Sequence, residues 1–278
     1  MTLPTDFRFS QGSLQDYVDC PHRFYLRYVQ RVAWPAIDVE PVLEREHYLQ
    51  QGAAFHRLVH RHALGVPAAR LAAASSDVDL RRWWRNYLES GPADLPAERF
   101  PEIVLSAPLA DYRLLARYDL VAVDPGPRAV IVDWKTSRQR TRRQVLEQRL
   151  QTRVYPYLLV QAGAELNASR PLAPEQVEMI YWFADSPADP ERFTYDRSKH
   201  AADGAFLMGL IEEIAGLSDE AFVLTPDEKH CRYCRYRSLC RRGVAAAQIT
   251  EEEDENLEPE EDLLDISLDM EQIVEIRY

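Results

Sequence analysis

Tyr118-Asp119-Leu120-Val121-Ala122-Val123-Asp124, then Pro125-Gly126-Pro127, then Arg128-Ala129-Val130-Ile131-Val132-Asp133-Trp134-Lys135: this stretch decides the fold. Two apolar runs flank a tight Pro-Gly-Pro turn, which predicts a β-hairpin. Asp119 opens the first strand, and Asp133 and Lys135 close the second. Period-2 alternation puts Asp133 and Lys135 on one face. In a hairpin the start of one strand lies beside the end of the next. Asp119, Asp133 and Lys135 are therefore expected to converge at one end of a sheet. Two carboxylates and an ammonium so placed suit metal-assisted phosphodiester hydrolysis. The carboxylates hold a hard divalent cation, and the lysine orients a water or stabilises charge. Alone, an Asp-x-Lys at a strand end is more often a solvated ion pair, so the rest of the chain must decide.

On the N-terminal side, residues 13–30 read as two short helices parted at Pro21, with Ser13 as N-cap and Cys20 at the junction. Residues 41–64 read as a long helix ending before Gly65. Gly52, His56 and His60 share one face of it. His56 is a candidate metal ligand, although a lone helical histidine is more often a satisfied polar residue. Residues 78–90 form another amphipathic helix, whose Trp83 and Trp84 are expected in the core. The period then changes to two. Strands are expected at 103–105, with Glu102 just before, and at 112–123 and 129–134. Glu102 could join the site, but reads first as an exposed residue at a strand start. A helix is expected over 142–162, with Gln151 and Tyr155 one turn apart and facing the sheet end. A strand over 176–183 and a helix over 197–217 follow. The order β-β-β-α-β behind a helical start predicts an α/β core with a mixed central sheet. Four regions result: helical 1–100, a core over 101–225, a Cys-rich segment at 226–250 and an acidic tail at 251–278.

The chain of 278 residues carries a formal charge of −12, which is unfavourable for a nucleic-acid partner. The charge is uneven, however. Residues 251–278 hold 13 acids and one base, so the body is neutral. Lys135, Arg138, Arg140, Arg142 and Arg143 form one basic cluster. Arg232, Arg235, Arg237, Arg241 and Arg242 form a second. Either can neutralise a phosphate backbone or simply be a solvated face. The tail can mimic DNA and restrain the enzyme, dock a protein partner, or act as a solubilising extension. No apolar run approaches the 18 residues of a membrane helix, and no secretion pattern opens the chain. The expectation is a cytoplasmic protein with no membrane partner. No phosphate-binding glycine loop occurs, so any ATPase would be a separate chain.

The four cysteines are Cys20, Cys231, Cys234 and Cys240, the last three spaced C-x2-C-x5-C. Disulfides are not expected in a cytoplasmic chain. Four thiolates are what a tetrahedral zinc or a cubane iron–sulfur cluster requires, and the spacing leaves both open.

Taken together, these residues resemble the RecB-type branch of the PD-(D/E)XK nuclease superfamily. More narrowly, they resemble the members with an iron–sulfur clasp, such as the AddB nuclease domain and the CRISPR-associated exonucleases. The resemblance runs from Ser13 to about Arg242. It rests on Gly52-Ala-Ala-Phe-His56, on Ala116-Arg117-Tyr118-Asp119 (alanine where glycine is common), on Asp133-Trp134-Lys135-Thr136, on Gln151 with Tyr155, and on Cys20-Pro21 with the late cysteines. It implies a restriction-endonuclease-like core with a helical N-terminal addition and a Cys-rich iron–sulfur clasp. It implies Mg²⁺ or Mn²⁺ bound by His56, Asp119, Asp133 and the Trp134 carbonyl, with Lys135 acting on the water or the charge. Gln151 and Tyr155 would position the DNA strand. It favours a structural 4Fe-4S cluster over zinc on Cys20, Cys231, Cys234 and Cys240. The implied activity is a DNA exonuclease acting on single strands or duplex ends in repair, recombination or defence. The competing reading is a non-catalytic or partner-dependent DNA-binding subunit of a helicase–nuclease or CRISPR adaptation complex. Aspartate at 133 is more RecB-like than CRISPR-associated, where glutamate is usual.

Overall fold

A computed structural model of the chain describes residues 3–4, 6–32, 40–72, 77–137, 140–231 and 234–242, with only the backbone for 40–46. The expected acidic tail, Arg138 and Arg232 lie outside the described residues. In chain order the elements are β1 (Arg8–Ser10), α1 (Gln11–Asp19) and α2 (Pro21–Phe24), which runs into a π-helical turn (Tyr25–Val29). Next come α3 (Glu40–Ala63), α4 (Ala68–Ala72) and α5 (Val78–Ser90). Then follow β2 (Glu98–Leu109), β3 (Tyr112–Asp124), β4 (Arg128–Lys135), α6 (Arg143–Gln148) and α7 (Leu150–Ala162). β5 (Val177–Phe183), β6 (Glu191–Thr194) and α8 (Arg197–Gly216) complete the set.

The expected hairpin is present. β3 and β4 pair antiparallel, from Leu120 opposite Val132 to Asp124 opposite Arg128. Gly126 sits in the turn at φ +108°, where an L side chain is strained. β2 runs antiparallel along β3, and β1 joins β3 in parallel at Arg113–Leu115. β5 lies parallel to β4, and β6 closes the sheet antiparallel to β5. The sheet is mixed and six-stranded.

Both faces are covered. Leu114, Tyr118, Val121, Ile131 and Met179 pack with Leu14, Val154, Leu158, Leu207 and Ile211, which come from α1, α7 and α8. On the other face Leu120, Val130, Val132, Ile180 and Trp182 pack with Phe55, Trp83 and Trp84 from α3 and α5. Each large apolar side chain fully buried here contributes roughly 1.5–3 kcal/mol. Burial on both faces is why β4 reads as an unbroken apolar run.

Several expectations change. The N-cap of α1 is Ser10, not Ser13. The Ser13 N–H donates to Ser10 Oγ at 3.1 Å, and Ser13 Oγ accepts from the Ser10 N–H at 2.9 Å. This reciprocal box satisfies two donors at the helix start. The single helix expected over 142–162 breaks at Arg149, which is extended at ψ 140°. β1 and β6 were not foreseen; at three and four residues they are too short to show a period. β2 is twelve residues long, so Glu102 lies inside it and not before it. No described helix is long and apolar enough to cross a membrane.

Candidate active site at the end of the sheet

The site forms where β2 and β3 break their alternation together. Pro101 pairs with Leu120 and Ile103 with Tyr118, which leaves Glu102 and Asp119 between the two pairs. On β3 the residues facing α7 are even-numbered up to Tyr118 and odd-numbered from Val121. On β2 they step from Phe100 to Ile103. Each strand therefore turns two successive residues toward the α3 face. Glu102 accomplishes this at φ +54°, a conformation unusual for a residue with a side chain. Asp119 follows Tyr118 onto the α3 face, and Leu120 stays on that face instead of returning toward α7.

There it meets His56. The Nδ1–H of His56 donates to Asp119 Oδ1 at 2.9 Å, and the Trp134 N–H donates to Asp119 Oδ2 at 2.8 Å. Burial pushes the Asp119 carboxyl up. The His56 charge and hydrogen bond, the Trp134 N–H and the Lys135 charge outweigh it and hold the group below its ordinary value. Asp119 is an anion here, so it accepts and His56 donates. Glu102 completes a group with these two: one potential ligand atom from each of His56, Glu102 and Asp119 lies within 4.8 Å of the others. Glu102 also pairs with Arg117 at 3.5 Å.

Asp133 and Lys135 share the other face, as the alternation requires, and α7 brings Gln151 to them. The three side chains close a triangle. Lys135 Nζ lies 2.8 Å from Asp133 Oδ2 and donates to Gln151 Oε1 at 3.0 Å, while Gln151 Nε2 donates to Asp133 Oδ1 at 2.6 Å. All are buried, with Asp133 at 4%, Lys135 at 7% and Gln151 at 5% exposure. A solvated ion pair, the ordinary reading of Asp-x-Lys, does not look like this. Gln151 spends its amide inside the triangle. Tyr155 is buried one turn on, its ring 4.8 Å from that of Tyr118, and its carbonyl accepts the Tyr118 hydroxyl at 2.9 Å. Trp134 enters the site by its backbone, and its indole packs on the opposite face 5.7 Å from Trp182.

The basic clusters are partly spent within the protein. Lys135 is buried, Arg140 and Arg143 pair with Glu191, and Arg242 donates to the Thr225 carbonyl at 2.6 Å. The evenly weighted choice between phosphate neutralisation and a solvated face thus gives way, for these residues, to internal pairing.

The cysteines gather elsewhere. Cys20 sits between α1 and α2, and it lines one pocket with Cys231, Cys234 and Cys240. None of the four is in a disulfide. Burial pushes Cys234 up to about 11, with the charges of Cys240 and Cys20 adding to it. Burial also raises Cys240, which Cys20 and Cys231 push further. Burial and neighbouring thiolates thus oppose ionisation of Cys234 and Cys240, and a bound cation would offset both. Arg23, Arg237 and Arg242 line the same pocket and offset the charge that four thiolates bring. The donor set therefore fits a thiolate-ligated metal centre. Aromatic packing joins α2 to the segment after α8 beside it: Phe222 stacks on Phe24 and Tyr25, and the His22 N–H donates to the Val223 carbonyl at 3.2 Å.

The family model of the PD-(D/E)XK nuclease superfamily matches residues 8–241. The chain belongs to that superfamily. Among solved structures, this PD-(D/E)XK chain is similar in fold to a candidate exonuclease from Eubacterium rectale. The identity is 9%, the match covers 87% of this chain and 90% of that one, and the TM-score is 0.51. The protein SSO0001 aligns over 84% of this chain and 85% of its own at 14% identity, with a TM-score of 0.39. No curated protein matches this PD-(D/E)XK nuclease.

Glu102 is the residue that sequence reasoning misplaced. The available signal was the apolar step from Phe100 to Ile103, which breaks period two around it.

Proposed function

We propose that this PD-(D/E)XK nuclease is a Mg²⁺- or Mn²⁺-dependent deoxyribonuclease, an exonuclease on DNA ends, acting in repair, recombination or defence. The observation that carries the reading is the join between the two halves of the site. Asp119 is held by His56 and by the backbone of Trp134, and Trp134 itself lies between Asp133 and Lys135. His56, Asp119 and Asp133, with the Trp134 carbonyl, would hold the cation. The cation, when bound, lowers the pKa of a water and offsets charge on the scissile phosphate. Lys135 keeps its ammonium fixed between Asp133 and Gln151, so it meets developing negative charge without reorganising. Gln151 holds both partners in register, and Tyr155 fixes α7 against β3 through Tyr118.

On the same reading the four cysteines carry a 4Fe-4S cluster with a structural role. It would staple α1 and α2 to the segment after α8. The cytoplasm is the proposed compartment, and a helicase or other protein reached through the acidic tail is the proposed partner.

The test is cleavage of end-labelled linear and closed circular DNA, single-stranded and duplex, with Mn²⁺ or Mg²⁺ and with chelator. Protein purified without air should be brown, degrade linear substrate only and lose activity in Lys135→Ala. Cleavage that survives both chelation and Lys135→Ala would refute the assignment.

A further inference from the structure

We propose that Glu102 is an additional metal ligand of this site, placed by the paired irregularity of β2 and β3. The proposal rests on the metal-dependent reading above and extends it by one residue. Three observations support it. The first is composition: an imidazole and two carboxylates, from α3, β2 and β3, bring potential ligand atoms within 4.8 Å of one another. That donor set suits Mn²⁺ or Mg²⁺, which take oxygen ligands, with the imidazole favouring Mn²⁺. The second is geometry: Glu102 belongs to the group with its backbone at φ +54°. Such a conformation is strained for a residue with a side chain and persists where the surroundings demand it. The third is register. The two strands break alternation at the same level, so Glu102 and Asp119 turn together toward His56. A break in one strand alone would part the two carboxylates.

The competing role for Glu102 is as the partner of Arg117, 3.5 Å away on β3. The two roles make opposite predictions. If Glu102 serves Arg117, removing either disturbs the site alike. If it serves the cation, removing Arg117 deletes a competing positive charge, and cation binding holds or tightens.

Mn²⁺ binding to metal-stripped full-length protein, followed by electron paramagnetic resonance of the free ion, separates them. Glu102→Gln, Arg117→Ala and Asp119→Asn are compared with the wild type. Glu102→Gly is included because glycine accepts φ +54° and keeps the strand folded. The expected result is at least tenfold weaker binding in Glu102→Gln, Glu102→Gly and Asp119→Asn, and unchanged or tighter binding in Arg117→Ala. Glu102→Gln within twofold of wild type, while Asp119→Asn loses binding, would overturn the role of Glu102 and leave the nuclease reading standing. Equal weakening in Glu102→Gln and Arg117→Ala would also overturn it. No saturable Mn²⁺ binding in wild type would overturn the metal-dependent reading and this proposal with it.

Discussion

At the scale of single residues, Lys135 is the most constrained group of the site. It is a buried ammonium whose charge is met by Asp133 and whose donors include one to Gln151. Removing one member of such a pair leaves the other buried and uncompensated, at a cost of roughly 3–5 kcal/mol. Lys135→Ala is thus expected to lower the urea midpoint as well as to reduce cleavage on the order of 100-fold or more. The double variant Lys135→Met with Asp133→Asn should recover most of the stability and none of the activity. That split, read from unfolding curves beside turnover, distinguishes a functional ion pair from a structural one. Glu102 makes a second case. A β-branched residue tolerates φ +54° poorly, so Glu102→Val should cost about 1–2 kcal/mol more than Glu102→Gln. Equal midpoints for the two would show that the backbone there relaxes freely.

At the scale of elements, α3 carries His56, and its position depends on Phe55. The Phe55 ring is fully buried, stacked 6.2 Å from Trp182 and edge-on to Trp83. Phe55→Ala should destabilise by about 3–5 kcal/mol. It should also weaken metal binding more than an equally destabilising change on the far face, such as Leu207→Ala on α8. Titration of the two variants with Mn²⁺ at a temperature where both remain folded checks this. The β3–β4 turn offers a simpler test. Gly126 lies at φ +108°, and its N–H donates to Asn167 Oδ1 at 2.8 Å. Gly126→Ala should cost about 1–2 kcal/mol by forcing a side chain into that region, with little effect on the site at the opposite end of the hairpin.

At the scale of the whole molecule, the cysteine pocket and the Phe222 contacts tie the first thirty residues to the segment after α8. A metal centre on these cysteines, as proposed, would be a crosslink between points some 210 residues apart and remove much freedom from the unfolded chain. Removing it with chelator under oxidation should then lower the melting temperature by several degrees and open the 222–242 segment to protease. Cys240→Ser should reproduce both effects. Protease patterns identical with and without metal would remove the stapling role. The hairpin, the long helices α3 and α8 and the pair Asp133 and Lys135 were all legible in the chain, because each has a period long enough to read. β1 and β6 were not, because three or four residues carry no period. Glu102 was misplaced because the step from Phe100 to Ile103, though visible in β2, brings it to Asp119 only when β3 breaks its alternation at the same level, which is a matter of pairing.

Local residue patterns set which chemistry was available and roughly where it would sit. Period-2 spacing set Asp133 beside Lys135, the Pro-Gly-Pro turn set Asp119 near them, and four cysteines in two separated groups called for closure. Tertiary structure alone decided which side chains meet. The break in β2 and β3 turned Asp119 and Glu102 toward His56, and packing of α7 brought Gln151 between Asp133 and Lys135. The physical reason is range. Local periodicity assigns a residue to a face within one element. The contacts that make a site are formed between elements, where the packing of two cores on one sheet sets the register.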